Sequence, residues 1–367
     1  MKLIKTSIIY ENPVPALRSR QAMFPSLCKL DNGDILASFQ MGEAFESVDC
    51  TDYISKSVDG GLTFSEPKQM FSKRWERPVK SDTCKITKLD GDKVIALGYQ
   101  FIRRDPNLTI GNPKTGGLLD DEVFFSISKD NGKTWGKRKI IKCYWGPHVE
   151  ASAPIVVLAD GSLATPITGF NDWDLSKETP CQGRILRSYD QGKTWNDDVI
   201  CMQFEDTNIS CFEQRMCQTT NGTIAVIGWN ENLKTGELLN NHVVISTDNG
   251  KTFSAPIDTG IKGQASSILA LDDNKVLALH SMRRDCEKPG ILACIVDLSQ
   301  GEWDIIEKQL IWSPNTPIVK DSNFADVFAF LKFGQPSTIR INEKELLMTY
   351  WACENGQYKT YCSKIEL

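Results

Sequence analysis

One eight-residue pattern occurs four times in this 367-residue chain, at 57–64, 128–135, 188–195 and 246–253. Each copy reads Ser-x-Asp-x-Gly-x-Thr-aromatic, and the aspartates Asp59, Asp130, Asp190 and Asp248 recur at intervals of 71, 60 and 58 residues. Recurrence at this length marks a repeat architecture, in which each supersecondary unit buries its apolar faces against its neighbours. The local chemistry is that of a tight turn. Asp accepts backbone N–H groups just ahead of it, and Gly admits the positive φ that a hairpin needs. Runs of β-branched and aromatic residues precede two of the copies (Val123-Phe124-Phe125 and Val243-Val244-Ile245), so the turns join strands. The four aspartates are therefore read as turn residues, not as catalytic acids.

A second element gives the number of units. An apolar strand, a polar turn and another apolar strand occur at 25–37, 84–97, 154–165, 216–227, 266–279 and 336–350. The turns are Asp31-Asn32-Gly33, Asp90-Gly91-Asp92, Asp160-Gly161, Asn221-Gly222, Asp272-Asp273-Asn274 and Asn342-Glu343-Lys344. Six such hairpins imply an all-β fold, a six-bladed β-propeller with four-stranded antiparallel blades, in which each hairpin supplies the two inner strands. The Asp-containing turn then joins the two outer ones. Blades five and six lack a full copy, with 297–303 a degenerate one. Residues 3–10 are expected to supply the missing outer strand of blade six and close the ring, which removes exposed sheet edges. No linker or composition break interrupts 1–367, so a single domain with few, short helices is expected.

Composition narrows the partners. Charged residues make up 24% and apolar residues 41%, with a net charge of −5 and no basic run. Nucleic acid and anionic membrane surfaces are poor partners for such a chain. No 18-residue apolar run is present to form a membrane-spanning helix. The opening residues lack the apolar core of a secretion signal, so a cytoplasmic location is expected. Twelve cysteines without a Cys-x-x-Cys pair fit buried thiols in a reducing compartment. His148, His242 and His280 have no metal-ligand spacing, so neither metal nor cofactor is expected.

In a propeller, ligands bind where the innermost strands converge, so polar residues leading into those strands, or leaving them at the same face, are the candidates. The first group contains Arg20, Asp82, His148, Glu150, Glu213, Arg215 and Gln335. The second contains Gln40, Asp49, Arg103, Asp172, Trp229, Arg283 and Trp351, with Arg104 and Arg284 beside two of them. Strand alternation should turn half of these away from the axis. Glu150 and Glu213 stand out because they are 63 residues apart, one blade repeat. Paired carboxylates are what glycoside cleavage requires: one protonates the leaving oxygen, and the other attacks or activates water. A structural alternative is that Arg215 and Lys80 simply neutralise them. Trp faces suit the apolar faces of sugars, and Arg forks suit a uronate carboxylate.

The four turns are Asp-boxes, and the chain resembles the sialidase-type β-propellers that carry them. That resemblance implies the fold over nearly the whole length, and in a sialidase it implies an arginine triad, a tyrosine nucleophile, a loop acid and a supporting glutamate. Glu213 matches the supporting glutamate, and Asp49 or Asp52 could match the loop acid. However, Met23-Phe24-Pro25 stands where the first arginine motif belongs, Trp229-Asn230 replaces a second arginine, and Pro336-Ser337 replaces the tyrosine motif. The chain is closer in this respect to the exo-arabinanase-like hydrolases on the same scaffold, whose two catalytic glutamates correspond by blade position to Glu150 and Glu213. The function expected from this is exo hydrolysis of short oligosaccharides in the central funnel, with a small carbohydrate as partner. Other readings are a sialidase-like enzyme of altered specificity, a uronate-directed lyase using His148 or His280, and a non-catalytic carbohydrate-binding propeller.

Overall fold

The structure is a computed structural model and describes residues 1–72, 77–146, 148–177, 179–283, 285–315 and 332–367. Among the described residues every regular element is a strand, and the strands form six antiparallel sheets of at least four strands each. One further two-stranded ribbon pairs Glu231–Asn232 with Glu237–Leu238. Contacts within the chain divide it into two compact units of three sheets each.

The first unit comprises Met1–Ile141, Asn171–Lys177 and Asn315–Leu367. Blade one runs Gln21–Lys29, Ile35–Gly42, Thr51–Ser57 and Lys68–Gln69. Blade two runs Lys80–Lys88, Val94–Ile102, Asp121–Ser128 and Lys139–Ile141. Blade six is built from Phe333–Arg340, Glu345–Glu354 and Gln357–Glu366, and its outer strand is the N-terminal Lys2–Tyr10, paired antiparallel with Gln357–Glu366. The N-terminal segment is thus the missing outer strand, as its isolation in the sequence implied.

The strand Ile35–Gly42 is buried along its whole length. Successive side chains on a strand point to opposite faces. Here Ile35, Ala37 and Phe39 pack with Leu347 and Cys362 of blade six, while Leu36 packs with Ile86, Ala96 and Phe124 of blade two. Sheets covered on both faces need continuous apolar runs, which is why the inner strands are not amphipathic.

The second unit comprises Lys142–Phe170 and Glu178–Pro314. In blade three both His148–Glu150 and Val156–Val157 pair with Leu163–Phe170, which is followed by Gln182–Ser188 and Asn196–Gln203. Blade four runs Phe212–Gln218, Ile224–Trp229, His242–Ser246 and Ile257–Asp258, and blade five Gln264–Ala270, Lys275–Met282, Gly290–Asp297 and Asp304–Trp312. The two-faced logic repeats: Ile224 and Val226 face the blade-three core, and Ala225 and Ile227 face that of blade five.

The four Asp-containing turns share one hydrogen-bond scheme. In the first, the Ser57 hydroxyl donates to Asp59 Oδ1 at 2.7 Å and accepts the Gly61 N–H at 2.8 Å. Asp59 also takes the Thr63 N–H at 3.0 Å and the Thr63 hydroxyl at 2.6 Å. Asp130, Asp190 and Asp248 bind Thr134, Thr194 and Thr252 in the same way. Together these donors hold all four carboxyls below the usual carboxylate range, against an opposing effect of burial that is the largest single cause only at Asp130. Gly132 shows why the pattern needs glycine: its φ is +78°, and a Cβ there would lie 2.6 Å from Leu36 Cδ1. The closing aromatics Phe64, Trp135 and Phe253 pack against the cores.

Candidate functional site

Alternation fails where the site residues begin. The first strands of blades one, four, five and six each slip register by one residue against the next strand, between Met23 and Ser26, Phe212 and Arg215, Gln264 and Ser266, and Gly334 and Ser337. Within each slip lies a non-glycine residue in the left-handed region: Phe24 (φ 53°), Glu213 (φ 42°), Ala265 (φ 54°) and Gln335 (φ 44°). Such a conformation costs ~1–3 kcal/mol and survives only where the surroundings enforce it. A bulge also re-aims the side chain it carries, which is why bulges gather beside functional sites. Pro25 and Pro336, inside what otherwise read as central strands, were the sequence signal for two of these breaks.

In the second unit the bulge places Glu213 against Glu150. Glu150 ends the three-residue strand His148–Glu150, after which the chain leaves the sheet before pairing again at Val156–Val157. The Glu213 backbone N–H donates to Glu150 Oε2 at 3.3 Å. The Trp229 indole N–H donates to Glu213 Oε2 at 2.8 Å. Trp229 is itself set by pairing with Phe212, whose ring centroid lies 4.9 Å from its own, and Phe212 stacks on Phe170 at 5.2 Å. Arg215 is buried and donates to the Ser152 hydroxyl at 3.0 Å and the Gln214 carbonyl at 2.8 Å.

Glu150 is only 7% exposed. Burial first, and the charge of Glu213 second, push its carboxyl up to about 7, against the opposing pull of Ser152, Arg215 and the Glu213 N–H. A carboxyl that stays protonated near neutrality can give up a proton there, which an ordinary glutamate cannot. His148, on the same short strand, is buried opposite Phe170.

The remaining expected residues fall elsewhere. In the first unit, Gln40 and Asp82 meet: the Gln40 amide donates to the Asp82 carbonyl at 2.8 Å, and Arg138 pairs with Asp82 Oδ2 at 2.9 Å. Asp52, one of the two loop-acid matches, is fully buried in the strand Thr51–Ser57 beside Asp82, so it faces sheet packing and not a ligand. Asp49, the other match, pairs with Arg20 at 3.5 Å and accepts the Glu43 N–H at 3.0 Å. Arg103 is buried and fastens its loop through the carbonyls of Glu46 and Leu108. Asp172 accepts from Ser176 and Lys177 in its own turn.

Trp351 is fully buried among Phe24, Phe45 and Tyr358, so its ring offers no face to a sugar. Gln335 accepts a hydrogen bond from Lys85 at 3.3 Å, and Lys85, which the sequence did not single out, also donates to the Phe24 carbonyl at 2.8 Å. Lys80 pairs with Glu122 at 2.7 Å. In the second unit Arg283 is buried; Arg284 lies outside the described residues. His280, fully buried with Nδ1 2.9 Å from the Ser266 hydroxyl, is lowered by burial to about 4 and is inaccessible as a lyase base.

No family model and no curated protein sequence matches this chain. Solved structures do. A protein of unknown function from Dyadobacter fermentans DSM 18053 superposes with a TM-score of 0.77 at 20% identity, covering 100% of this chain and 99% of that one. The NanB sialidase from Streptococcus pneumoniae gives 0.65 at 12% identity, over 97% and 70%. A Trypanosoma rangeli sialidase gives 0.64 at 15% identity, over 94% of this chain and 53%, about half, of that one. The fold is a six-bladed β-propeller. At these identities the likeness carries the fold and no further.

Proposed function

We propose that this propeller is a glycoside hydrolase acting on short oligosaccharides, with Glu150 as the general acid and Glu213 as the nucleophile or water-activating base. One observation carries the reading: the Glu150 carboxyl accepts the backbone N–H of Glu213 from the adjacent sheet, and burial together with the Glu213 charge raises Glu150 to about 7. Glu150 then protonates the glycosidic oxygen while Glu213, held by Trp229, works on the anomeric carbon. Ser152 and Arg215, next to Glu150, favour its ionised form and so stabilise the carboxylate left after it has given up its proton. Missing arginine and tyrosine motifs weigh against sialic acid as substrate, and the exo-arabinanase-like assignment rests on the blade positions of the two glutamates.

The test is a panel of 4-nitrophenyl glycosides, including α-L-arabinofuranoside, β-D-glucuronide and α-sialoside, with short arabino- and uronate-oligosaccharides beside it. Release of nitrophenolate or of a terminal sugar, abolished by Glu150→Gln, supports the reading. An unsaturated product absorbing in the ultraviolet would favour the lyase. Sugar binding without turnover would favour a carbohydrate-binding propeller.

A further inference from the structure

We infer that Trp229 is a positioning residue for Glu213, acting through its indole N–H and not through a ring face presented to a sugar; this rests on the hydrolase reading. Glu213 departs from the backbone at φ 42°, inside a bulge, where strand alternation no longer fixes the direction of a side chain. Its carboxylate still has free torsions beyond Cβ, so something must choose one arrangement. The indole N–H supplies a fixed donor for this, reaching Glu213 Oε2 at 2.8 Å.

Indole is a donor only and does not titrate in water, so the donor itself is unchanged across the working pH range. The donor is fixed in turn. Trp229 pairs with Phe212 across the two strands, one residue before the bulge, and its ring packs on the Phe212 ring at 4.9 Å. The bulge aims Glu213 and the residue facing its start pins it, so strand register and carboxylate orientation are set by one local device. Fixing a reacting group to within a fraction of an ångström is worth ~10–10²-fold in rate.

Two variants and one spectrum test this. Trp229→Phe keeps an aromatic ring and deletes the donor; Trp229→His restores an N–H on a ring. With the 4-nitrophenyl glycoside that the wild type turns over best, Trp229→Phe should lose ~10–10²-fold in kcat with KM changed less than ~3-fold, and Trp229→His should recover part of the loss. An unchanged kcat with a raised KM would instead make Trp229 a sugar platform and overturn the inference. The second readout needs no substrate. The Trp229 indole 1H–15N resonance, assigned by its loss in Trp229→Phe, should change position in Glu213→Gln, which replaces a charged acceptor by a neutral one. An indole resonance indifferent to Glu213 overturns the contact itself. A responsive resonance in a protein that cleaves none of the glycosides keeps the contact, defeats the hydrolase reading and removes the catalytic role from Trp229.

Discussion

Glu213 donates its backbone N–H to Oε2 of Glu150 at 3.3 Å, although the two residues are 63 positions apart in the chain. The bond joins the first strands of two neighbouring sheets at equivalent positions, and its donor is the strained residue of a bulge. The same contact lowers the cost of a buried carboxylate at Glu150 and brings the Glu213 charge close enough to raise it. The opposition of these effects leaves Glu150 near neutrality, where a proton donor is useful.

If the two carboxyls divide the work, removing either stops it. Glu150→Gln and Glu213→Gln should each lose at least ~10²-fold in kcat on the cleaved glycoside. Glu150→Gln should also fold at least as stably as the wild type at pH 8, because it removes a buried group that must ionise there. Paired kinetic and thermal-melt measurements check this. A stable variant with undiminished activity would falsify the assignment.

The titration of Glu150 gives a sharper test. Its carboxyl 13C resonance should titrate near 7 in the wild type. In Glu213→Gln the second cause of the shift is gone while burial, the first, remains. The midpoint should therefore fall but stay above the ordinary 4.5 of a glutamate. No movement at all would mean that the two groups do not interact.

The fold was legible because its signals are local. Asp-Gly turns, apolar runs and a fixed spacing appear in the sequence as they appear in space, and the unpaired segment 3–10 had only one sheet left to join. Pairing Glu150 with Glu213 needed only the repeat length. Residues whose role depends on side-chain direction were harder to read. Trp351 and Arg103 looked like ligand residues because they leave inner strands, yet their side chains turn into packing and loop carbonyls. The left-handed bulges at Phe24, Glu213, Ala265 and Gln335 carry no glycine to announce them, and a single register slip reverses which side chains share a face. Lys85 went unremarked for the same reason: its partners, the Phe24 carbonyl and Gln335, both sit in those bulges.

The conspicuous aspartates of the repeated turns should matter for stability alone. Asp130 accepts the Ser128 hydroxyl and both donors of Thr134. Asp130→Ala removes these bonds at a turn edge that water reaches, so the expected loss is ~1–2 kcal/mol of unfolding free energy. Urea titration measures the loss, and the folded fraction should retain the wild-type specific activity. An inactive variant with unchanged stability would place Asp130 in the chemistry instead.

A second buried pair makes the stability of the first unit depend on pH. Asp52 is fully buried beside Asp82, whose Oδ1 accepts the Asp52 N–H at 3.1 Å and the Thr51 hydroxyl at 2.9 Å. Burial, and then the charge of Asp82, raise the Asp52 carboxyl from 3.8 to about 8. The sign follows from proton counting. Between these two values the folded chain holds a proton that the unfolded chain has released, so stability falls as pH rises. The contribution is complete below about pH 4 and is lost once the pH has climbed through about 8. Asp52→Asn imitates the protonated acid without being able to ionise. It should melt much like the wild type at pH 5 and ~2–6 °C higher at pH 9, with the slope between them reduced. Thermal melts across that range, on wild type and variant together, decide it: equal slopes would show that Asp52 is ionised in the folded protein throughout.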